Sequence, residues 1–242
     1  MDVLMRVVDI ETNAKELPGE ILELGLTDVT LDTETLDCKI TPPRAQLFKP
    51  YKEIPAVTRA VHHIGPKDVA DAPPILPSTV RAMLYDGDPF CLVAHKASFE
   101  QTFLGPYLNP DQHWICTFKA AKRQWPHYES HSNQALRYER DFDDLPDEWA
   151  MPPHRAGPDT YVTAHILMSL LQVQRVSRLV SWTMMPEFFP VCPIGKHKGQ
   201  PWADLPYDYL QWMVRAQEME PDLKAAARDE MDRRAFANRR PA

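Results

Sequence analysis

Residues 3–10, VLMRVVDI, have the length and apolar content of a buried strand, and they run straight into two carboxylates. Asp9 and Glu11 are two positions apart, so on extended backbone both side chains project from one face. Like charges that close repel strongly where the dielectric is low, and a structural strand has no use for them. A hard divalent cation resolves the conflict, because it takes oxygen ligands and offsets the repulsion. The chain therefore needs a fold that carries this strand end to a place where further oxygen donors meet it.

The elements downstream follow the order of an α/β domain. Residues 20–29 alternate Ile21, Leu22, Leu24 and Leu26 with polar neighbours. A third strand follows and bends at Pro42-Pro43, so the three make an antiparallel meander. Two helical segments with Pro near their starts come next, PAVTRAVHHI and PPILPSTVRAMLYDG. The apolar run PFCLVAH reads as a buried strand, and KASFEQTFLGPYL as a helix with Phe99, Phe103, Leu104 and Tyr107 on one face. HWICTFKAAKRQWP reads as a short strand turning into a basic helix, and SHSNQALRYERDF as a helix with Ser and Asn cap candidates. Residues 141–159 read as an acidic, proline-rich loop. The strongest helix is PDTYVTAHILMSLLQVQ, with Val162, Ile166, Leu167, Leu170 and Val173 on one stripe, Pro158 as first helical residue and Gly157 as cap. After about residue 178 the pattern changes to paired glycines around a basic turn, an aromatic helix and a highly charged helix. We divide the chain into a domain over 1–178 and a small module over 179–242.

Composition narrows the class. The 242 residues suffice for one α/β domain plus a small appendage, and no apolar run approaches the roughly 18–20 residues of a membrane span. An acid at the second position argues against a secretory leader. Cys38, Cys91, Cys116 and Cys192 are too scattered for a zinc knuckle and read as reduced thiols of a cytoplasmic protein. A net charge of −7 is a poor match for binding nucleic acid through bulk charge. It leaves room for a nucleic-acid enzyme whose local carboxylates are neutralised by metal. With 24 Pro against 8 Gly, the connections are stiff. Nothing in the pattern sets an oligomeric state.

Two more acids stand where an α/β sheet gathers its functional groups. Glu100 begins the helix after the buried strand, and Asp159 begins the long apolar helix; strand ends and helix starts meet at one sheet edge. Four carboxylates from separate segments can then share two divalent ions. His154, five residues before Asp159, would place an imidazole beside them, able to take a proton from an attacking water.

Three segments in this order, VVDIETN, LVAHKASFEQTFL and HRAGPDTYVTAHIL, resemble the motifs of the DEDDh 3′→5′ exonucleases, over roughly residues 3–175. The middle segments and IGKHKGQPWADLPYDYLQWM are similar to the exodeoxyribonuclease X branch of that family. The resemblance implies a ribonuclease H-like fold: a central mixed five-stranded sheet flanked by helices, with the small C-terminal module attached. It implies removal of 5′-mononucleotides from 3′ ends of DNA, single strands preferred, with two ions, magnesium or manganese. Asp9, Glu11, Glu100 and Asp159 would hold the ions, Asp9 bridging both, and His154 would be the general base. Two positions depart from the family pattern: Glu100 stands where Asp is usual, and Lys96 where Asn is usual. The longer carboxylate shifts its oxygens, which a metal demanding near-ideal geometry tolerates less well.

Expected substrate contacts are Thr12 and Asn13 after the first motif, and His62 in AVHHI. Phe99 reads as either a core residue or a base-stacking contact, and Lys96 as a partner of Glu100 or of a phosphate. Lys119, Lys122 and Arg123 form a basic helical patch suited to backbone phosphates. Lys196 and Lys198, beside Trp202, Tyr207, Tyr209 and Trp212, could grip single-stranded DNA. Two other readings stay open: an RNA-preferring exoribonuclease of the same family, and a nucleic-acid-binding module with a weakened metal site.

Overall fold

A computed structural model of the protein describes residues 2–142 and 145–237. Six strands form one mixed sheet: β1 (Asp2–Thr12), β2 (Ile21–Asp32), β3 (Cys38–Ile40), β4 (Arg44–Leu47), β5 (Cys91–Ala94) and β6 (Trp114–Cys116). The order is β3-β2-β1-β5-β6, with β4 also pairing β2. β1 and β2 are antiparallel, with Asp9 opposite Gly25 and Glu11 opposite Glu23. β5 lies parallel to β1, and β6 parallel to β5. The expected five strands are the five along this path. The sixth arises because the third expected strand splits rather than bends: Cys38–Ile40 pairs with Val29–Leu31, and Arg44–Leu47 with Glu23–Leu26. Pro42 and Pro43 lie in the break, and neither has an N–H for the ladder.

The helices are α1 (Ala56–His62), α2 (Pro77–Tyr85), α3 (Ser98–Leu104), α4 (Thr117–Gln124), α5 (Asn133–Glu139), α6 (Asp147–Ala150), α7 (Ala156–Leu171), α8 (Val176–Met184), α9 (Tyr207–Arg215) and α10 (Pro221–Ala237). α2 and α3 cover one face of the sheet, and α4, α5 and α7 the other. Met5 and Val7 of β1 pack in a core with Ala120, Leu136, Val162, Ile166 and Leu170, from α4, α5 and α7. Val8 and Ile10 point the other way, into a core with Val80 and Leu84 of α2 and Phe103 and Leu104 of α3. Burying each such side chain stabilises the fold by about 1.5–3 kcal/mol. The alternation decides the site: Asp9 and Glu11 share the parity of Met5 and Val7, so they face α7.

Several local expectations need correction. The stretch 141–159 is not loop throughout, because α6 forms within it, with Asp147 and Glu148 favourably placed in its first turn. Asp143 and Asp144 of that stretch lie outside the described residues. The long helix begins at Ala156 with Arg155 as N-cap, so Gly157 and Pro158 sit inside its first turn, where a missing N–H costs nothing. Val173 is not on its stripe; it lies past the helix end and is 56% exposed.

The division expected at 178/179 falls inside α8. Leu179 belongs to the large core, with Val180 and Trp182 packed against it. A separate small core holds Cys192, Leu205, Leu210, Met213, Leu223 and Ala227. The two cores therefore part after Met184. In the module, Arg234 of α10 donates to the carbonyls of Trp202, Ala203 and Leu205 and pairs with the buried Glu230. All four cysteines are free thiols. Among the described residues no helix is long and apolar enough to cross a membrane.

Candidate active site

Asp9, Glu11 and Asp159 each offer one carboxylate oxygen, and the three atoms lie within 4.8 Å of one another. Two come from the end of β1 and one from the first turn of α7. They line a cavity of about 350 Å³ together with His95, Lys96, Phe99, Glu100, Asn133, Gln134 and His154. Glu100 stands outside the trio but on the same wall. It is only 4% exposed, and its Oε2 is buried with no hydrogen-bond partner among the described residues. Its oxygens are where a longer side chain from α3 puts them, beside the cluster rather than within it.

The electrostatics are those of an uncompensated anionic pocket. Burial, then the charges of Asp159, Glu100 and Glu11, raise the Asp9 carboxyl well above its usual range. Glu11 is pushed up to about 8 by burial and by Asp159 and Glu23, with Arg155 opposing. Burial likewise carries Glu100 to about 8. Asp159 is raised by burial, while the His154 N–H, the nearby His154 imidazole and Gln134 hold it down. Among the described residues none of the four acids is in a salt bridge. Converging oxygens, an orphaned buried carboxylate oxygen and mutually raised acids fit a divalent cation.

A stability profile follows. Glu11 and Glu100, ordinarily near 4.5, keep their protons to about 8 in the folded, metal-free protein. A folded state that binds more protons than the unfolded chain is most stable below the unfolded value and loses that stability as pH rises through the folded one. Thermal melts of chelator-treated protein should show Tm falling between pH 4.5 and about 8, by roughly 5 °C or more, with manganese restoring it at the upper end. A flat profile would contradict a shared acidic site.

The backbone that presents these groups is held from β2 and α5. Glu23, opposite Glu11, takes a two-pronged ion pair from Arg155, Nε at 3.0 Å and the terminal nitrogen at 2.6 Å, and accepts the Ala156 N–H at 2.9 Å. The carboxylate thus pins the start of α7 to the sheet. Gly25 makes this approach possible: a Cβ there would lie 2.2 Å from the Ala156 carbonyl. Asp159 is oriented by the His154 N–H on one oxygen at 2.8 Å and by Gln134 Nε2 on the other at 3.3 Å. Asn133 Nδ2 donates to the Asp159 carbonyl and to Thr163 Oγ1. His154 itself is exposed, on left-handed backbone at φ 60°, with its imidazole near Asp159.

Sequence reasoning missed Glu23, Gly25, Arg155, Asn133, Gln134 and His95. Arg155 and His95 lie inside the family motifs, and Asn133 and Gln134 inside the segment SHSNQALRYERDF, where Asn133 reads only as a cap candidate and Ser132 takes that place; Glu23 and Gly25 carry no signal until β2 is placed. His95 is pinned, with Nε2 donating to the His131 carbonyl at 2.8 Å and Nδ1 accepting from Thr117 Oγ1 at 2.9 Å. Burial pulls its pKa to about 4, so it is a neutral brace.

The expected substrate contacts divide. Phe99 reaches the cavity while packing on Phe103 at 4.9 Å between ring centroids, so it is both core and wall. Lys96 also lines the cavity, but its ammonium lies 5.0 Å from the Phe118 ring centroid rather than in a salt bridge with Glu100. Its φ of 102° is uncommon for any residue with a Cβ. Thr12, Asn13 and His62 are buried away from the cavity lining. Thr12 donates to the Ala14 carbonyl, Asn13 ties Glu20 and Glu53, and His62 accepts the Ile64 N–H.

The α4 patch is not an open phosphate path. Lys119 donates to the Met185 carbonyl at 2.8 Å and lies 3.9 Å from Asp222 of α10. Lys122 pairs with Glu187, and Arg123 donates to the Pro186 carbonyl. Lys196 and Lys198, by contrast, are exposed on the turn 195–199. That turn is closed by Cys192–Gln200 and Gly199–Cys192 backbone bonds, and His197 stacks edge-on to Tyr209 at 4.5 Å.

No protein-family model matches the chain. Exodeoxyribonuclease 10 of Escherichia coli strain K12 is 30% identical to it over 227 residues, covering 91% of this chain and 96% of that protein. The structure of exonuclease X in complex with 5′ overhanging duplex DNA superposes with a TM-score of 0.59 at 29% identity, covering 74% of this chain and 99% of that one. The nuclease domain of 3′hExo, a DEDDh family member bound to rAMP, shares the fold at a TM-score of 0.52 and 18% identity, covering 70% of this chain and 92% of that one.

Proposed function

This chain belongs to the exodeoxyribonuclease 10 family, and we propose that its acidic cavity removes 5′-mononucleotides from 3′ ends of DNA with two divalent ions, magnesium or manganese. It is a DNA exonuclease with the ribonuclease H-like fold of the DEDDh enzymes. The observation that carries the reading is the convergence of Asp9, Glu11 and Asp159 within 4.8 Å, beside the buried Glu100.

Asp9, Glu11 and Asp159 would hold one ion, and Asp9 with Glu100 the other. When bound, such ions supply charge neutralisation at the scissile phosphate and an acidified water. The protein's own groups then do three things. His154, exposed at the cavity mouth, accepts the proton of the attacking water. The His154 N–H and Gln134 keep the Asp159 carboxylate aimed at the cluster, and the Glu23–Arg155 pair keeps the segment carrying both on the sheet. Phe99 offers an aromatic wall to the terminal base. The cavity of about 350 Å³ is at the small end for a ligand pocket, which supports one nucleotide at a time and hence single-stranded ends over intact duplex. Four free thiols fit a reducing compartment, the cytoplasm.

A 5′-labelled single-stranded DNA oligomer should give a ladder shortening from the 3′ end with magnesium or manganese, and none with chelator. An RNA oligomer of the same sequence should be cut more slowly. Equal or faster cutting of RNA would overturn the DNA assignment, and binding without a ladder would leave a binding module. Lys196 and Lys198 would add a second grip on the DNA backbone. Replacing both with Gln should weaken DNA binding about tenfold at low salt and flatten its salt dependence, read by fluorescence anisotropy.

A further inference from the structure

The segment that joins the two cores is bound to α4 by the side chains that sequence reasoning assigned to phosphates. Lys119 and Arg123 donate to the Met185 and Pro186 carbonyls, and Lys122 makes the ionic and aromatic contacts. It pairs with Glu187, and its ammonium lies 4.2 Å from the Phe189 ring centroid and 5.4 Å from that of Phe118. Phe118 also meets two residues of the cavity wall. It stands edge-on to the His95 ring at 5.7 Å, and the Lys96 ammonium lies 5.0 Å from its centroid. Thr183 Oγ1 accepts the Cys116 N–H at 2.8 Å, tying the end of β6 to α8 just ahead of this segment. One aromatic ring is therefore shared by the wall of the catalytic cavity and by the seat of the C-terminal module.

Lys96 needs such support. A non-glycine residue at φ 102° persists only where its surroundings hold it. Lys96 immediately precedes the turn into α3, which delivers Phe99 and Glu100 to the cavity. The Phe118 ring, which also packs against the core that holds Val8 and Leu92, is a contact that the Lys96 ammonium makes, and the Lys122 ammonium that lies on Phe189 makes another to the same ring.

We propose that the C-terminal module is a positioning element of the active site: seated on α4 through Lys122, Glu187 and Phe189, it holds Phe118 against His95 and Lys96. This rests on the exonuclease reading of the cavity. A module that only captured DNA would act on affinity, whereas a positioning element acts on turnover.

The test uses full-length protein with Glu187→Gln, Phe189→Ala, Lys122→Gln, Lys122→Arg and the Lys122→Gln/Glu187→Gln double variant. Steady-state hydrolysis of a single-stranded DNA oligomer is measured with saturating manganese, and calorimetry confirms that each variant is folded. Glu187→Gln and Lys122→Gln should each lower kcat about fivefold with KM within about twofold; the double variant should be no worse than either single, and Lys122→Arg should keep activity near wild type. Amide hydrogen exchange at His95–Ala97 should quicken in Glu187→Gln, a readout independent of turnover. A rise in KM at unchanged kcat, or no change in kcat and exchange, overturns the proposal. Wild-type protein that hydrolyses nothing would instead sink the exonuclease reading, while the exchange arm would still decide the seat.

Discussion

Asp9→Asn is expected to remove at least about a thousandfold of nuclease activity while making the metal-free protein more stable. Asp9 is one of the trio, and the charges of Asp159, Glu100 and Glu11 all oppose its ionisation. The amide keeps one neutral oxygen but loses the negative charge that would hold the ions, and with it several kcal/mol of transition-state charge stabilisation. It also removes a buried carboxyl that neighbouring acids push against, at a position with room for an isosteric amide. Above neutral pH the chelated variant should melt about 3 °C or more higher than wild type, and calorimetric titration with manganese should show lost uptake. Wild-type turnover in the variant would mean that the chemistry lies elsewhere.

Gly25→Ala should also produce a large loss of activity, with the opposite effect on stability. The new methyl would lie 2.2 Å from the carbonyl carbon and oxygen of Ala156 and 2.6 Å from the Gly157 nitrogen. Those are backbone atoms, which cannot swing aside as a side chain does, so either β2 or the first turn of α7 must shift. Overpacking of this kind costs about 1–3 kcal/mol or more. The turn that moves carries Asp159, and the residue before it is the Arg155 that Glu23 pins. A displacement near 1 Å is enough to cost about a hundredfold in rate. We expect a Tm lowered by about 5 °C, weaker manganese binding and activity down at least about a hundredfold. Wild-type metal affinity in a folded variant would show that the close approach does not set the Asp159 position.

The contrast between these two variants marks how far the sequence alone can be read. The parity of Asp9 and Glu11 on one strand is a local property, and it placed both on the face that meets α7. The H-R-A-x-x-D spacing carried His154 and Asp159 in the same way. Glu23 was opaque because its role depends on register: only the antiparallel pairing of β1 with β2 sets it opposite Glu11 and within reach of Arg155. Gln134 was opaque because its partner arrives from 25 residues away. Lys119, Lys122 and Arg123 looked like an open basic face because their partners, Met185, Pro186 and Glu187, sit in a segment whose composition gives no hint of docking. Glu100 was expected with the other three acids; the structure puts it on the same wall, but outside the 4.8 Å trio.

The trio draws on residues 9, 11 and 159, and the parallel pairing of β1 with β5 spans more than eighty residues. Such distant contacts form late in folding, since long loops must close before any contact rewards them. A chain emerging from the ribosome exposes its first two acids long before the third exists. Hydrolytic capacity should therefore switch on abruptly, with completion of the tertiary structure, and incomplete chains should leave DNA uncut.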